Sequence, residues 1–287
     1  MILTKEIETF LEEDLRDDDV SCTLVPNKTV KAVIFTKQAC LVSGLEIAAA
    51  ILDYMNISYV QKKNPGDSAG KGDVLFELSG DSVSILRAER LVLNFLSRLS
   101  GIATNTHDYV SIVEKSVSDF NKQNKTSINA PKIAATRKTT PGIRKFEKKA
   151  VIDGGGDSHR NNLADLVMIK DNHIEIMGFE NAFLEAKRKA SFSKKIEMEA
   201  ETKEQALSAA RLGADIVMLD NMTPAEIKET VSLLVKNKLR DRILIEASGG
   251  IKKENLPEYA VAGVDIISLS AVTNDAKWID ISLDIRK

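Results

Sequence analysis

The sequence predicts an α/β protein in which parallel strands form a barrel, accompanied by a smaller α+β domain. Six apolar segments each end in charged or small polar residues, and helix-patterned stretches lie between most of them. Alternating strands and helices indicate parallel strands joined by crossover connections. The amino-terminal part lacks this alternation. The six strand-like segments are residues 132–138, 165–171, 195–201, 215–221, 243–249 and 264–270.

The amino-terminal part mixes helices and strands. Ile7, Phe10, Leu11 and Leu15 recur at helical spacing, which predicts an amphipathic first helix over residues 4–15. Further strands are predicted over residues 31–36, 39–42 and 74–78, and further helices over residues 44–55 and 82–99.

Two segments define the predicted domain limits. Residues 116–131 are polar and rich in Asn, Lys and Ser, and we interpret them as an exposed loop before the barrel. Apolar residues alternate near the carboxyl terminus, as in a strand that returns to the first domain. We therefore assign residues 1–105, joined by a strand within 276–287, to the α+β domain, and residues 106–275 to the barrel.

Composition is that of a soluble enzyme. The chain has 287 residues and 43% hydrophobic content, enough for a large core, and its net charge of −2 gives no general attraction to nucleic acid or anionic membranes. Cys22 and Cys40 form no metal-ligand spacing, and we expect reduced thiols. No apolar run is long enough to span a bilayer, and the start lacks the pattern of a signal peptide, so we expect a cytoplasmic protein.

The strand ends carry the candidate chemistry. A parallel barrel places its active site at the carboxyl ends of its strands. There the chain has Arg137, Lys138, Lys170, Glu199, Asp220 and Ser248. Because both signs of charge meet at this mouth, we expect an anionic ligand, with a metal ion as a further possibility.

Two motifs supply most of the positive charge. Residues 136–142 read Thr-Arg-Lys-Thr-Thr-Pro-Gly, and residues 154–160 read Gly-Gly-Gly-Asp-Ser-His-Arg. Arginine binds carboxylate or phosphate through a planar fork, lysine acts as a point charge, and glycine lets the backbone approach a ligand closely. Lys170 follows an apolar strand and is expected to face inward, whereas His173 is expected to be structural.

Acidic residues mark two neighbouring strands. Glu197, Glu199 and Glu201 alternate along one strand and therefore share a face, and Asp220 ends the next strand. A barrel strand has no solvated face, so buried carboxylates there need a cationic or metal-bound partner. Glu199 with Asp220 suits magnesium carried by a phosphate ligand. The small residues at 248–250 predict a phosphate cradle.

These motifs, in this order, closely resemble the quinolinate phosphoribosyltransferase family over nearly the whole chain. The resemblance also includes an early acidic loop at residues 13–20, an interdomain helix spanning 88–94 and 99–104, and later segments at 219–222, 246–250 and 280–284. It implies an incomplete, TIM-like α/β barrel with an N-terminal α/β sandwich domain. The implied assembly is a homodimer, or a larger assembly of dimers, with shared active sites.

The resemblance implies a reaction and its residues. Quinolinate and phosphoribosyl pyrophosphate, with Mg2+, would give nicotinate mononucleotide, pyrophosphate and CO2, a step of de novo NAD biosynthesis. Glu199 and Asp220 would face the ribose and its magnesium, and Arg90 would come from the neighbouring subunit. Lys138 or Lys170 would assist decarboxylation. The pocket for the two carboxylates would be lined by Arg137, Lys138, His159, Arg160 and Lys170. The 5-phosphate would lie on Ser248, Gly249 and Gly250, with Ser270 nearby.

Two departures from the family pattern concern these assignments. Ser270 and Asn274 stand where the family often has Gly and then His, which bears on the last phosphate contacts. Asp157-Ser158 precedes the His-Arg pair, where Asn is common.

Three alternatives remain open. A related branch associated with molybdate transport would share the barrel but not the substrate, although the double threonine with His159-Arg160 favours the quinolinate branch. A Schiff-base lyase would use Lys170 as its nucleophile. A non-catalytic anion-binding barrel is the third, and Glu199 with Asp220 argues against it.

Overall fold

The computed structural model describes residues 2–17 and 19–286. The predicted domain limits at residues 1 and 287, and Asp18 of the early acidic loop, lie outside the described residues. The chain forms two compact units. The first comprises Met1–His107, Lys149–Gly155 and Asp275–Lys287, and the second comprises Asp108–Lys148 and Gly156–Asn274. The sequence-based boundary at residues 105 and 106 falls within the same helix as the boundary between these units.

The elements follow one another in two series. The first series is α1 (Thr4–Leu15), β1 (Thr29–Thr36), β2 (Cys40–Leu41), α2 (Leu45–Tyr54), β3 (Ser58–Gln61), β4 (Ser68–Ala69), β5 (Val74–Asp81) and α3 (Ser82–Asn124). The second is β6 (Lys132–Ala135), α4 (Arg144–Asp153), β7 (Val167–Ile169), α5 (Asp171–Met177), α6 (Phe179–Lys189), β8 (Ile196–Ala200), α7 (Lys203–Leu212), β9 (Ile216–Asp220), α8 (Pro224–Lys236), β10 (Leu244–Ser248), α9 (Leu256–Ala260), β11 (Ile266–Leu269), α10 (Ala271–Asn274) and β12 (Ile281–Arg286).

The first unit is built on a four-stranded antiparallel sheet in the order β12-β1-β5-β3. The last strand of the chain is therefore its edge strand, and Ile34 of β1 faces Leu283 across the pair. Ile34 and Phe76 are fully buried, as is Ile51 on the apolar face of α2. The antiparallel sheet explains why the amino-terminal part lacks the regular alternation of the barrel.

One prediction about the connection between the parts, an exposed loop or extension over residues 116–131, is wrong for residues 116–124. Residues 116–124 are helical and not a loop, because α3 continues from Ser82 to Asn124. Val113 and Val117 lie one turn apart and are both buried, so the polar residues around them occupy the outer face of the helix. The Asn121 side chain then bonds both backbone groups of Ile128, which closes the short loop that follows.

The second unit contains the predicted parallel barrel. Its sheet has the order β6-β11-β10-β9-β8-β7, and all its strand pairs are parallel. The described residues show no pairing between β6 and β7, so the barrel is incomplete at this edge. The loop residue Asp157 bridges to Ala134 of β6 there. The carboxyl ends of all six strands consequently open at one mouth.

Within residues 2–17 and 19–286, no helix combines the length and the apolar composition that a membrane crossing needs.

Candidate active site

A cavity of about 660 Å³ opens at the mouth of the barrel in the second unit. Of the predicted site residues, it is lined by Arg137, Lys138, His159, Arg160, Lys170, Glu199, Asp220, Ser248, Gly249, Gly250 and Ser270. Arg90 belongs to the first unit, where it lies exposed on α3. The roles of all these residues in binding and catalysis stay predictions, but the strand ends and the loop at residues 154–160 do bring the cavity-lining residues together.

The loop after β6 is held by a buried acid. The strand ends at Ala135, so Arg137 and Lys138 lie on the loop that follows. Thr140 donates from its backbone nitrogen at 2.9 Å and from its hydroxyl at 2.8 Å to the Glu147 carboxylate. Glu147 is fully buried on α4. This double contact orders the turn that carries the two cations.

Lys148 connects the same strand end to the glycine-rich loop. Its ammonium group donates to the carbonyl oxygen of Ala135 at 2.8 Å and to that of Ser158. The residue is 2% exposed. Burial, reinforced by the nearby Arg144 guanidinium, lowers the pKa of Lys148 to about 8. The sequence analysis did not identify Lys148, because one lysine within a basic helical segment carries no local signal of burial.

The glycine-rich loop delivers His159 and Arg160 to the cavity. The imidazole Nε2 of His159 lies 3.0 Å from Oε2 of Glu246. Burial, together with the neighbouring Arg137, lowers the pKa of Arg160. Two guanidinium groups close together make this wall strongly positive, which suits a ligand with more than one negative charge.

Glu199 and Asp220 form an acidic wall of the same cavity. Lys170 Nζ lies 2.7 Å from Oε2 of Glu199, whose side chain is 7% exposed. Burial and the nearby Glu199 carboxylate raise the pKa of Asp220. Both acids offer oxygen atoms, the donors that Mg2+ prefers. Lys170 already supplies one positive charge beside them, so these residues fit a divalent ion as oxygen donors to one that a ligand brings.

The predicted phosphate cradle follows β10. Gly249 has φ of 85°, and a Cβ atom built there would lie 2.2 Å from Oδ1 of Asn221. The Asn221 backbone nitrogen donates to the carbonyl oxygen of Ser248 at 2.8 Å. Only glycine fits so close an approach at positive φ. The family departure at Ser270 does not remove it from the cavity, whereas Asn274 lies exposed.

The barrel also holds a buried acid that the site assignment missed. Glu246 and Glu197 are both fully buried. Burial and the Glu246 carboxylate raise the pKa of Glu197. Glu246 precedes Ser248 by two residues on β10, and the alternation used for Glu199 was the signal that would have placed it inside. Glu201 lies exposed beyond the end of β8.

Comparison with known proteins places this geometry in context. Residues 19–100 match the family model for the quinolinate phosphoribosyl transferase N-terminal domain, and residues 102–284 match the C-terminal domain. A probable carboxylating nicotinate-nucleotide pyrophosphorylase from Methanothermobacter thermautotrophicus is 40% identical over 284 residues, covering 98% of each chain. The Rattus norvegicus nicotinate-nucleotide pyrophosphorylase is 34% identical, covering 96% of this chain and 89% of its own. The structure of the Francisella tularensis nicotinate-nucleotide pyrophosphorylase superposes with a TM-score of 0.88 at 32% identity, covering 99% of this chain and 95% of its own.

Proposed function

The chain belongs to the quinolinate phosphoribosyltransferase family, and from this premise we propose which residues carry each part of its reaction. The enzyme joins quinolinate to the ribosyl group of phosphoribosyl pyrophosphate and releases pyrophosphate and CO2, which yields nicotinate mononucleotide for NAD biosynthesis. The observation that carries the assignment of roles is the division of the mouth cavity into a cationic wall and an acidic wall.

The cationic wall binds quinolinate. Its members are Arg137, Lys138 and Arg160, which supply enough positive charge for both carboxylates of the substrate, and Lys170 joins it to the acidic wall through its ion pair with Glu199. The Nε atom of Arg137 is buried and has no hydrogen-bond partner among the described residues. A buried donor of this kind costs free energy until it is paired, and a carboxylate oxygen would pair it.

The acidic wall faces the ribose. The pyridine nitrogen attacks the anomeric carbon, the bond from that carbon to pyrophosphate breaks, and positive charge develops on the ribose. Glu199 and Asp220 stabilise this charge electrostatically. The same two residues would hold magnesium, which when bound with phosphoribosyl pyrophosphate neutralises the leaving group. The backbone at residues 248–250 binds the 5-phosphate.

Decarboxylation then uses the positive pyridinium ring. The carboxylate beside the ring nitrogen leaves as CO2, and its bonding electron pair stays on the ring carbon until a proton arrives. Lys170 is held by Glu199 at 2.7 Å and serves to bind a carboxylate. Lys138 is exposed at the mouth, and we assign proton delivery to it. The same ion pair argues against a Schiff-base role for Lys170, because a paired ammonium group is a poor nucleophile.

Turnover with defined substrates tests the proposal. The purified protein is given quinolinate, phosphoribosyl pyrophosphate and Mg2+, and both nicotinate mononucleotide and CO2 are measured. Nicotinic acid, which has one carboxylate, is the matched control and should be a far poorer substrate. If nicotinic acid were turned over with comparable efficiency, this would contradict the proposal that the cationic wall binds both carboxylates of quinolinate. Trapping of substrate on Lys170 by borohydride would instead support a lyase.

We further propose a homodimer in which Arg90 completes the site of the second copy. Arg90 is exposed on α3 of the first unit, and a two-fold partner is a means of presenting it to a barrel mouth. Arg90→Ala and Lys138→Ala chains should each be nearly inactive. After subunit exchange, confirmed by mass, mixtures should regain activity because one site in each heterodimer is intact. Heterodimers without recovery would rule out this arrangement.

We propose the cytoplasm as the compartment, where NAD precursors are made.

A further inference from the structure

His159 is held in a backbone conformation that few residues adopt. Its φ is 50°, in the left-handed region. The backbone nitrogen of His159 donates to Oδ1 of Asp157 at 2.8 Å, which helps to keep this conformation. Such strain persists only where surrounding contacts determine it, and it concentrates at functional sites. The direction of this imidazole is therefore set by its partners.

Both ring nitrogens of His159 have partners. The backbone nitrogen of Arg160 donates to Nδ1 at 2.7 Å, and Nε2 lies 3.0 Å from Oε2 of Glu246. A backbone N–H can only donate, so Nδ1 must present its lone pair. The proton of the neutral ring is consequently on Nε2, and His159 donates it to Glu246.

This tautomer decides whether His159, Glu197 and Glu246 form a metal site or a hydrogen-bonded group. His159, Glu197 and Glu246 place potential metal-ligand atoms within 4.8 Å of one another. A protonated Nε2 has no lone pair for a metal ion, so the hydrogen-bond pattern argues against a metal centre. Oε2 of Glu197 lies 3.8 Å from Nε2, beyond hydrogen-bond distance, which leaves Glu246 as the acceptor.

We propose that Glu246 is a positioning residue for quinolinate binding: its carboxylate accepts the Nε2 proton of His159, and His159 in turn holds the backbone of Arg160 so that the guanidinium faces the mouth cavity. This inference rests on the proposed function. Glu246 is fully buried on β10, whereas Arg160 is the last residue of the glycine-rich loop, far earlier in the chain. The contact therefore ties the substrate-binding loop to the barrel wall.

The role differs from that assigned to His159 by family resemblance. With both ring nitrogens engaged within the protein, the imidazole does not need to bind a substrate carboxylate itself. Loss of the Glu246 acceptor should instead release the imidazole, and with it the orientation of Arg160. Quinolinate binding should suffer, while phosphoribosyl pyrophosphate binding should be affected far less.

Nitrogen-15 NMR of the histidine rings tests the contact without requiring activity. The full-length chain has only three histidines, so His159→Gln assigns the resonances. The wild-type protein near neutral pH should show His159 with its proton on Nε2. Glu197→Gln should leave the Nε2–H resonance at its wild-type shift because it leaves the acceptor in place, and Glu246→Ala should move it, because the Nε2 proton then loses its hydrogen-bond acceptor. A proton on Nδ1 in the wild-type protein, or an unmoved Nε2–H resonance in Glu246→Ala, would overturn the proposal.

Steady-state kinetics test the consequence. Glu246→Ala should raise KM for quinolinate by about 10-fold, the effect expected from one unpaired buried donor, with a much smaller change in KM for phosphoribosyl pyrophosphate. Glu246→Gln keeps a side-chain oxygen acceptor of the same length, so its KM for quinolinate should return most of the way to the wild-type value. Equal rises in both KM values would indicate a general structural defect and refute a positioning role.

The two measurements separate the possible failures. If Glu246→Ala does not fold, the wild-type spectrum and the kinetics of Glu246→Gln still decide the question. A large rise in the quinolinate KM of Glu246→Gln, with the His159 tautomer unchanged, would contradict the proposed link. If the wild-type protein fails to turn over quinolinate, the proposed function fails, and the spectrum alone still accepts or rejects the contact between His159 and Glu246.

Discussion

Replacing Lys148 with methionine should remove a pH dependence from the free energy of unfolding. Lys148 is 2% exposed and donates to the carbonyl oxygens of Ala135 and Ser158. Methionine keeps most of the hydrocarbon stem and carries no charge. The substitution therefore isolates the effect of burying one ammonium group beneath the mouth of the barrel.

The sign follows from the two pKa values. Burial lowers the pKa of Lys148 from 10.5 to about 8. Between these values the unfolded chain binds more protons than the folded chain, so this residue makes stability rise with pH. Below about pH 8 both states are protonated, and the folded state carries the full cost of the buried charge. At about 1.4 kcal/mol for each pH unit, that cost is about 3 kcal/mol.

Urea unfolding of both proteins at several pH values provides the assay. The stability of the wild-type protein minus that of Lys148→Met should rise by about 3 kcal/mol between neutral pH and pH 10.5. Lys236→Met removes an exposed lysine from the end of α8 and corrects for the loss of one positive charge. A corrected difference that is constant, or that falls as pH rises, would refute the reasoning.

Two further predictions concern the site. Glu199→Ala and Asp220→Ala should each lower kcat by roughly 100-fold, equivalent to about 3 kcal/mol of transition-state stabilisation. The effect on thermal stability should be smaller. Full activity in either variant, measured beside its melting curve, would show that the role of that residue is misassigned. Gly249→Ala should destabilise the protein by more than about 1 kcal/mol, because its Cβ would lie 2.2 Å from Oδ1 of Asn221 at a φ of 85°. Gly250→Ala is the matched control, since a Cβ there meets nothing within 4 Å at a φ of 65°, and equal losses in urea unfolding would contradict the steric argument.

The parallel barrel and most of its mouth were predictable because their signals are local. Alternation within a strand sets which side chains share a face, and the end of each strand sets which residues reach the mouth. Lys170, Glu199 and Asp220 were placed by this argument alone, and the structure brings them to one cavity. The extension of α3 was missed because its outer residues are polar, and only the burial of Val113 and Val117 explains why that segment is helical.

By itself, the sequence determined the order of the strands along the chain, the residues at their carboxyl ends and, through its motifs, the family. Tertiary structure decided which distant residues meet. Glu246 accepts from His159, which lies 87 positions earlier, and Lys148 of α4 reaches both the end of β6 and the glycine-rich loop. Such contacts depend on how separate elements pack, and no spacing within one element encodes them. The partners of these buried charges are supplied by the fold.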